Sequence, residues 1–115
     1  MGRRMSVETR AWLWLLVAGV LEVVWAIGLK QSNGFRKPDV AAFTVVAMIA
    51  SFYGLAQALK VLPVGTGYAV WTGIGAVGTA IVGVLYFGES RDLGRVLSIL
   101  LIICGIVGLK LASRA

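Results

Sequence analysis

The sequence predicts an all-α integral membrane protein, a bundle of four transmembrane helices that takes up the whole chain, residues 1–115, as one domain. Three observations lead there. About 59% of the 115 residues are apolar and only 14% are charged, whereas soluble domains carry roughly a quarter charged residues. The apolar residues fall into four runs, each close to the roughly 20 residues that a helix rising about 1.5 Å per residue needs to cross a hydrocarbon core about 30 Å thick. Backbone groups in lipid have no water to bond, so each run must satisfy them within itself, as a helix.

The first span is expected from about Ala11 to Leu29, broken only by Glu22. The second runs from about Val40 to Leu59, the third from about Pro63 to Phe87 and the fourth from about Leu93 to Ala112. The connections are short. Gln31 to Asp39 holds Ser32, Asn33, Gly34 and Pro38, a cluster with turn chemistry. Lys60 to Pro63 is tighter, with Pro63 suited to the first turn of a new helix. Gly88 to Asp92 carries both signs of charge. Links this short make consecutive helices antiparallel neighbours. No cleavable signal is expected, because the first apolar run contains Glu22; Gly2 to Arg4 reads as an optional extension before a second possible start at Met5.

Composition excludes several classes of function. With no histidine and one cysteine, a disulfide framework and a Cys/His metal cluster are both out of reach. Cys104 lies in an apolar run and reads as a small hydrophobe. No catalytic set, metal site or cofactor motif is evident, so the chain is not expected to be an enzyme. The net charge of +6 does not imply nucleic acid, because the basic residues sit between apolar segments rather than along one face. The partner they imply is the lipid bilayer.

Four spans place the N-terminus, the second loop and the C-terminus on one side. Arg3, Arg4, Arg10, Lys60, Lys110 and Arg114 lie there, against Lys30, Arg36, Lys37, Arg91 and Arg95 on the other. Orientation follows asymmetry between two such sets, and here they nearly balance. Either the count fails to resolve one fixed orientation, or the chain inserts both ways round.

Glu22 is the one ionisable residue well inside a span. Carboxylates in lipid are costly unless paired, protonated or hydrated. Such a group holds a proton or, once ionised, a cation, but not both at full strength, which is the physical minimum for proton/cation exchange. A purely structural carboxyl, protonated and bonded across helices, is the bland alternative. Ala18, Gly19, Glu22, Trp25, Ala26 and Leu29 share one helical stripe. Small residues on it let a ligand or helix approach, and Trp25 offers a π face beside the acid. Partners for the carboxyl are to be sought among Ser51 and Gln57 in the second span and Tyr68, Trp71, Thr72 and Thr79 in the third. Tyr68 and Trp71 share a face with Gly75 a turn further on, an arrangement that serves packing or a site.

The third span carries two small-residue series, Gly65-Ala69-Gly73 and Gly75-Thr79-Gly83, suited to close packing; Gly73, Gly75 and Gly78 together also weaken the helix locally, so the alternatives there are a hinge or close packing alone. Cys104, Gly108 and Ala112 make another stripe in the fourth, which reads as an assembly element. Four helices hardly enclose a pathway, so one Glu22 per chain suggests a site shared at a dimer axis. With two-way insertion the dimer would be antiparallel, and exchange of the two subunit conformations would supply alternating access.

These features together resemble the small multidrug resistance family over essentially the whole length from Ala11 to Ala112. The resemblance rests on Gly19-Val-Leu-Glu22-Val-Val-Trp25-Ala-Ile-Gly-Leu-Lys30, on Ser32-Asn-Gly-Phe35, and on Leu62-Pro-Val-Gly65-Thr-Gly-Tyr68-Ala-Val-Trp71-Thr-Gly-Ile-Gly75. It implies an antiparallel homodimer in a prokaryotic inner membrane, with Glu22 taking protons and cations alternately and Tyr68 and Trp71 lining the site. Trp25, Ser51 and the stretch after Trp71 are similar to the guanidinium-exporting branch of the family. That branch implies that Ser51 and Trp25 orient Glu22 by hydrogen bonds, with Gly19 and Gly75 in support. The expected activity is proton-coupled export of guanidinium and small substituted guanidinium cations. Export of bulky quaternary ammonium drugs is the alternative within the family, and a passive channel or assembly protein the alternative outside it. Gly67 and the basic N-terminal extension have no place in the family pattern.

Overall fold

The computed structural model describes residues 6–112. It contains four α-helices: α1 (Val7–Gln31), α2 (Pro38–Leu59), α3 (Val64–Phe87) and α4 (Leu93–Ala112). Each is long and apolar enough to cross a membrane. Gly2 to Arg4, Arg114 and the proposed start at Met5 lie outside the described residues.

Helix ends follow capping chemistry and extend beyond the apolar runs where it allows. α1 begins a turn before the apolar run, because Ser6 Oγ accepts the Thr9 N–H at 3.0 Å and Glu8 sits in the first turn, where a negative charge suits the helix dipole. α2 begins at Pro38, whose missing N–H costs nothing in a first turn. Pro63 stands just outside α3 as its cap rather than inside it. α3 stops at Gly88, which adopts a left-handed backbone (φ 65°), and the N–H groups of Gly88 and Glu89 both turn back to Gly83 O, the second at 3.1 Å, so that a glycine ends the helix. α4 starts where Asp92 Oδ1 accepts the Arg95 N–H at 3.0 Å. In the first loop, Asn33, Gly34 and Phe35 all take positive φ. The buried Ser32 holds that turn, donating to Leu29 O at 2.9 Å and accepting from Phe35 N–H at 3.0 Å.

α1 is the hub, packed against α2 and α3; α4 approaches α3 alone. The core is small and consists of Ala11, Leu15, Ala18, Ala58, Leu62, Val70 and Trp71. Helices come together where side chains are absent. A Cβ on Gly54 would lie 2.9 Å from Ala18 Cβ, and one on Gly73 would lie 2.8 Å from Ile106 Cδ1 of α4. α3 is helical without interruption from Val64 to Phe87, and a Cβ on Gly73, Gly75 or Gly78 would meet a side chain of a neighbouring helix. α4 buries no residue, and large apolar side chains cover the outside of the molecule. Such a surface belongs in lipid, since soluble proteins do not expose contiguous apolar faces of this extent. The chain is a multi-pass membrane protein.

The ends sort as alternating spans require. Lys110 Nζ lies over the Trp12 ring at 5.1 Å, joining the end of α4 to the start of α1, and Lys30 Nζ lies over the Phe87 ring at 5.4 Å.

Candidate functional site

The site is built at mid-depth from α1, α2 and α3. Glu22 projects from α1 onto α3 at Gly75, whose missing side chain leaves the space that the carboxyl fills. Gly19, a turn earlier, receives Ile74 in the same way: a Cβ there would lie 2.6 Å from Ile74 Cγ2. The two glycines therefore set the α1–α3 spacing that seats the acid.

Ser51, fully buried on α2, ties the three helices together. Its hydroxyl donates to Ala18 O at 2.7 Å and accepts from Trp71 Nε1 at 3.1 Å. The Ala18 carbonyl belongs to α1 and the indole to α3, so one hydroxyl fixes a backbone position and a ring plane. Sequence resemblance implied that Ser51 and Trp25 bond to Glu22. In the structure Ser51 has spent its single proton on Ala18 O, and no hydrogen bond joins it or Trp25 to the acid among the described residues. Glu22 Oε1 and Trp25 Nε1 are instead both buried with no partner among those residues. Buried polar atoms are ordinarily paired; an unpaired acceptor and an unpaired donor on one helix, one turn apart, are free to bond a polar group brought to them.

Aromatic rings form the wall beside them. Tyr68 and Trp71 have centroids 5.7 Å apart, Trp71 and Phe52 5.8 Å, and Phe52 and Trp25 6.1 Å. Sequence reasoning missed Phe52. Its only signal was its place next to Ser51, since an apolar residue in an apolar span carries no other mark. Tyr68 is 55% exposed and Phe52 47%, so the wall opens outward from the single chain. Of the other polar candidates, Gln57 lies far from Glu22: its Oε1 accepts from Lys60 Nζ at 3.3 Å near the end of α2. Thr72 points outward and Thr79 is half-buried, with no hydrogen bond from either side chain among the described residues.

Residues 10–102 match the family model described as Small Multidrug Resistance protein. The chain belongs to the small multidrug resistance family. Its relatives in that family include a protein of Yersinia pseudotuberculosis, 61% identical over 103 residues, which cover 90% of this chain and 99% of that one; it is named "Guanidinium exporter". Proteins of Proteus vulgaris, 55% identical over 103 residues, and Salmonella typhimurium, 56% over 104 residues, bear the same name, with the same 90% and 99% coverage. Gly67, which the family pattern did not explain, is buried where Leu59 Cδ2 packs against it at the tight α2–α3 link.

Proposed function

We propose that this chain exports guanidinium and small substituted guanidinium ions in exchange for protons, as an antiparallel homodimer in the inner membrane of a prokaryote. The observation that carries the reading is the carboxyl of Glu22, seated on Gly75 in mid-span with Oε1 buried and unpartnered. A carboxylate accepts a planar guanidinium through two parallel N–H···O bonds. Trp25, Phe52, Trp71 and Tyr68 present ring faces on which a delocalised cation is stabilised. The substrate class is supported by the names of relatives 55% and 61% identical over 103 residues.

Coupling follows from competition. Protonated Glu22 has no negative charge to offer a cation, and a bound cation blocks protonation; with two Glu22 carboxyls at the shared site of the dimer, one bound guanidinium displaces two protons, and turnover moves net charge. Ser51 takes a positioning part: it holds the Trp71 plane and the α1 backbone at Ala18, and with them the distance between acid and rings. The dimer is supported by the outward opening of the wall at Tyr68 and Phe52 and by α4, which stands outside the bundle with no buried residue. Nearly balanced basic residues at the two ends support insertion in both orientations. In such a pair, exchange of conformations between subunits turns an inward-open site into an outward-open one.

The test is current in proteoliposomes on pulses of guanidinium or of a quaternary ammonium ion, with wild type and Glu22→Gln. Guanidinium currents that vanish in the variant, while the dimer stays assembled, support the mechanism. Currents mainly with the quaternary ion would move the chain to drug export, and currents indifferent to the substitution would overturn the role of Glu22.

A further inference from the structure

We propose that the groove between the start of α1 and the end of α4 binds one phospholipid whose headgroup carries a primary ammonium. The groove exists because the backbone of α4 approaches α3 and not α1. Gly73 draws Ile106 onto α3, while no close approach of this kind joins α4 to α1. What remains is a cavity of about 570 Å³, within the size range of small-molecule sites. Its walls are Leu13 and Leu16 of α1, Val70 and Ile74 of α3, and Ile106 and Val107 of α4. They offer no hydrogen bond, so only hydrocarbon suits them. From Glu8 to Leu16 the α1 wall covers about 12 Å of depth, enough for the part of an acyl chain nearest its headgroup.

The mouth has the opposite character. Glu8, in the first turn of α1, and Lys110, in the last turn of α4, both line it. They carry opposite charges, yet no ion pair joins them to each other or to another described residue. Lys110 Nζ lies instead 5.1 Å over the Trp12 ring. Trp12 lines the same groove, and its Nε1 is buried without a partner among the described residues. The mouth therefore presents a carboxylate, an ammonium and an indole N–H above an apolar trough. A phosphoethanolamine headgroup answers all three: its ammonium meets Glu8, and its phosphate oxygens accept from Lys110 and Trp12. A purely anionic lipid would face Glu8 unfavourably, and a small organic cation would leave Lys110 unanswered and the trough empty.

This site is distinct from the acid at mid-span. Ile74 floors the groove, while the next residue, Gly75, faces Glu22.

The test uses the full chain, delipidated in detergent and titrated with phosphatidylethanolamine, phosphatidylcholine or phosphatidylglycerol of identical acyl chains, with retained lipid counted by native mass spectrometry. Loss of a charge-assisted hydrogen bond corresponds to about 10-fold in affinity, so phosphatidylethanolamine should be retained about 10-fold more tightly than the other two. Glu8→Gln should abolish that preference without weakening phosphatidylglycerol, a pattern that general unfolding would not produce. Lys110→Gln should weaken all three, because the phosphate is common to them, and Ile106→Trp should displace all three by filling the trough. Equal retention of the three lipids, a preference that survives Glu8→Gln, or a groove covered by a second copy and holding no lipid would each overturn the proposal.

Discussion

A methyl group placed on Gly75 would intrude on the space that holds the Glu22 side chain. An ideal Cβ there lies 2.7 Å from Glu22 Cγ and nearer still to its Cδ and Oε1. Ordinary carbon contacts sit at about 3.5–4.0 Å, so Gly75→Ala must displace the carboxyl by about 1 Å. The effect on stability is modest, because two contributions oppose each other. Overpacking costs about 1–3 kcal/mol, and alanine regains about 1 kcal/mol of helix propensity. Misplacement of a reacting or binding group by about 1 Å, by contrast, costs on the order of 100-fold in function. The expected signature is a folded protein with guanidinium currents reduced on the order of 100-fold, read in proteoliposomes beside thermal unfolding in detergent. Gly65→Ala is the control, since its Cβ would meet nothing within 4 Å; it should leave transport unchanged. Wild-type currents in Gly75→Ala would refute the seating of Glu22 on that glycine. So would a loss of current no greater than the loss of folded protein.

Three further outcomes follow. Ser51→Ala leaves the Trp71 N–H without its acceptor, which should cost about 1–3 kcal/mol in detergent unfolding and raise the apparent KM for guanidinium more than it lowers the maximal rate. Gly88→Val forces a β-branched residue into the left-handed backbone at φ 65°, where a Cβ meets no neighbour; the cost, about 1–2 kcal/mol of backbone strain, should be smaller in Gly88→Asn, and equal destabilisation by the two would contradict it. Asp92 is held below the usual carboxylate range, first by the Arg95 backbone N–H and then by the Ser90 hydroxyl. A depressed folded value means that its capping contribution is fully present above the unfolded pKa of about 4 and is lost only as pH falls through the lower folded value. Amide protection at Arg95, measured by hydrogen exchange, should therefore hold from neutral pH to about 5 and fade only in stronger acid.

The sequence alone determined the spans, their order and the place of the acid, because each depends on local properties. Length and hydropathy define a transmembrane run whatever surrounds it, and a lone Glu22 in such a run announces itself. Caps were local too, yet hydropathy obscured them: Ser6, Glu8 and Thr9 are polar, so α1 was expected to begin at Ala11 rather than at Val7. Partners of side chains were a different matter. In an apolar span nearly every face is apolar, and periodicity does not say which face meets which helix. Only tertiary packing decided that Ser51 bonds to Ala18 O and Trp71 rather than to Glu22. The same packing brought Phe52 between Trp25 and Trp71. The glycine series of α3 likewise said that something approaches closely but not what. That Gly75 receives an acid, Gly73 a side chain of α4 and Gly78 Val23 of α1 depends on the rotation and spacing of whole helices, which are set by all their contacts at once.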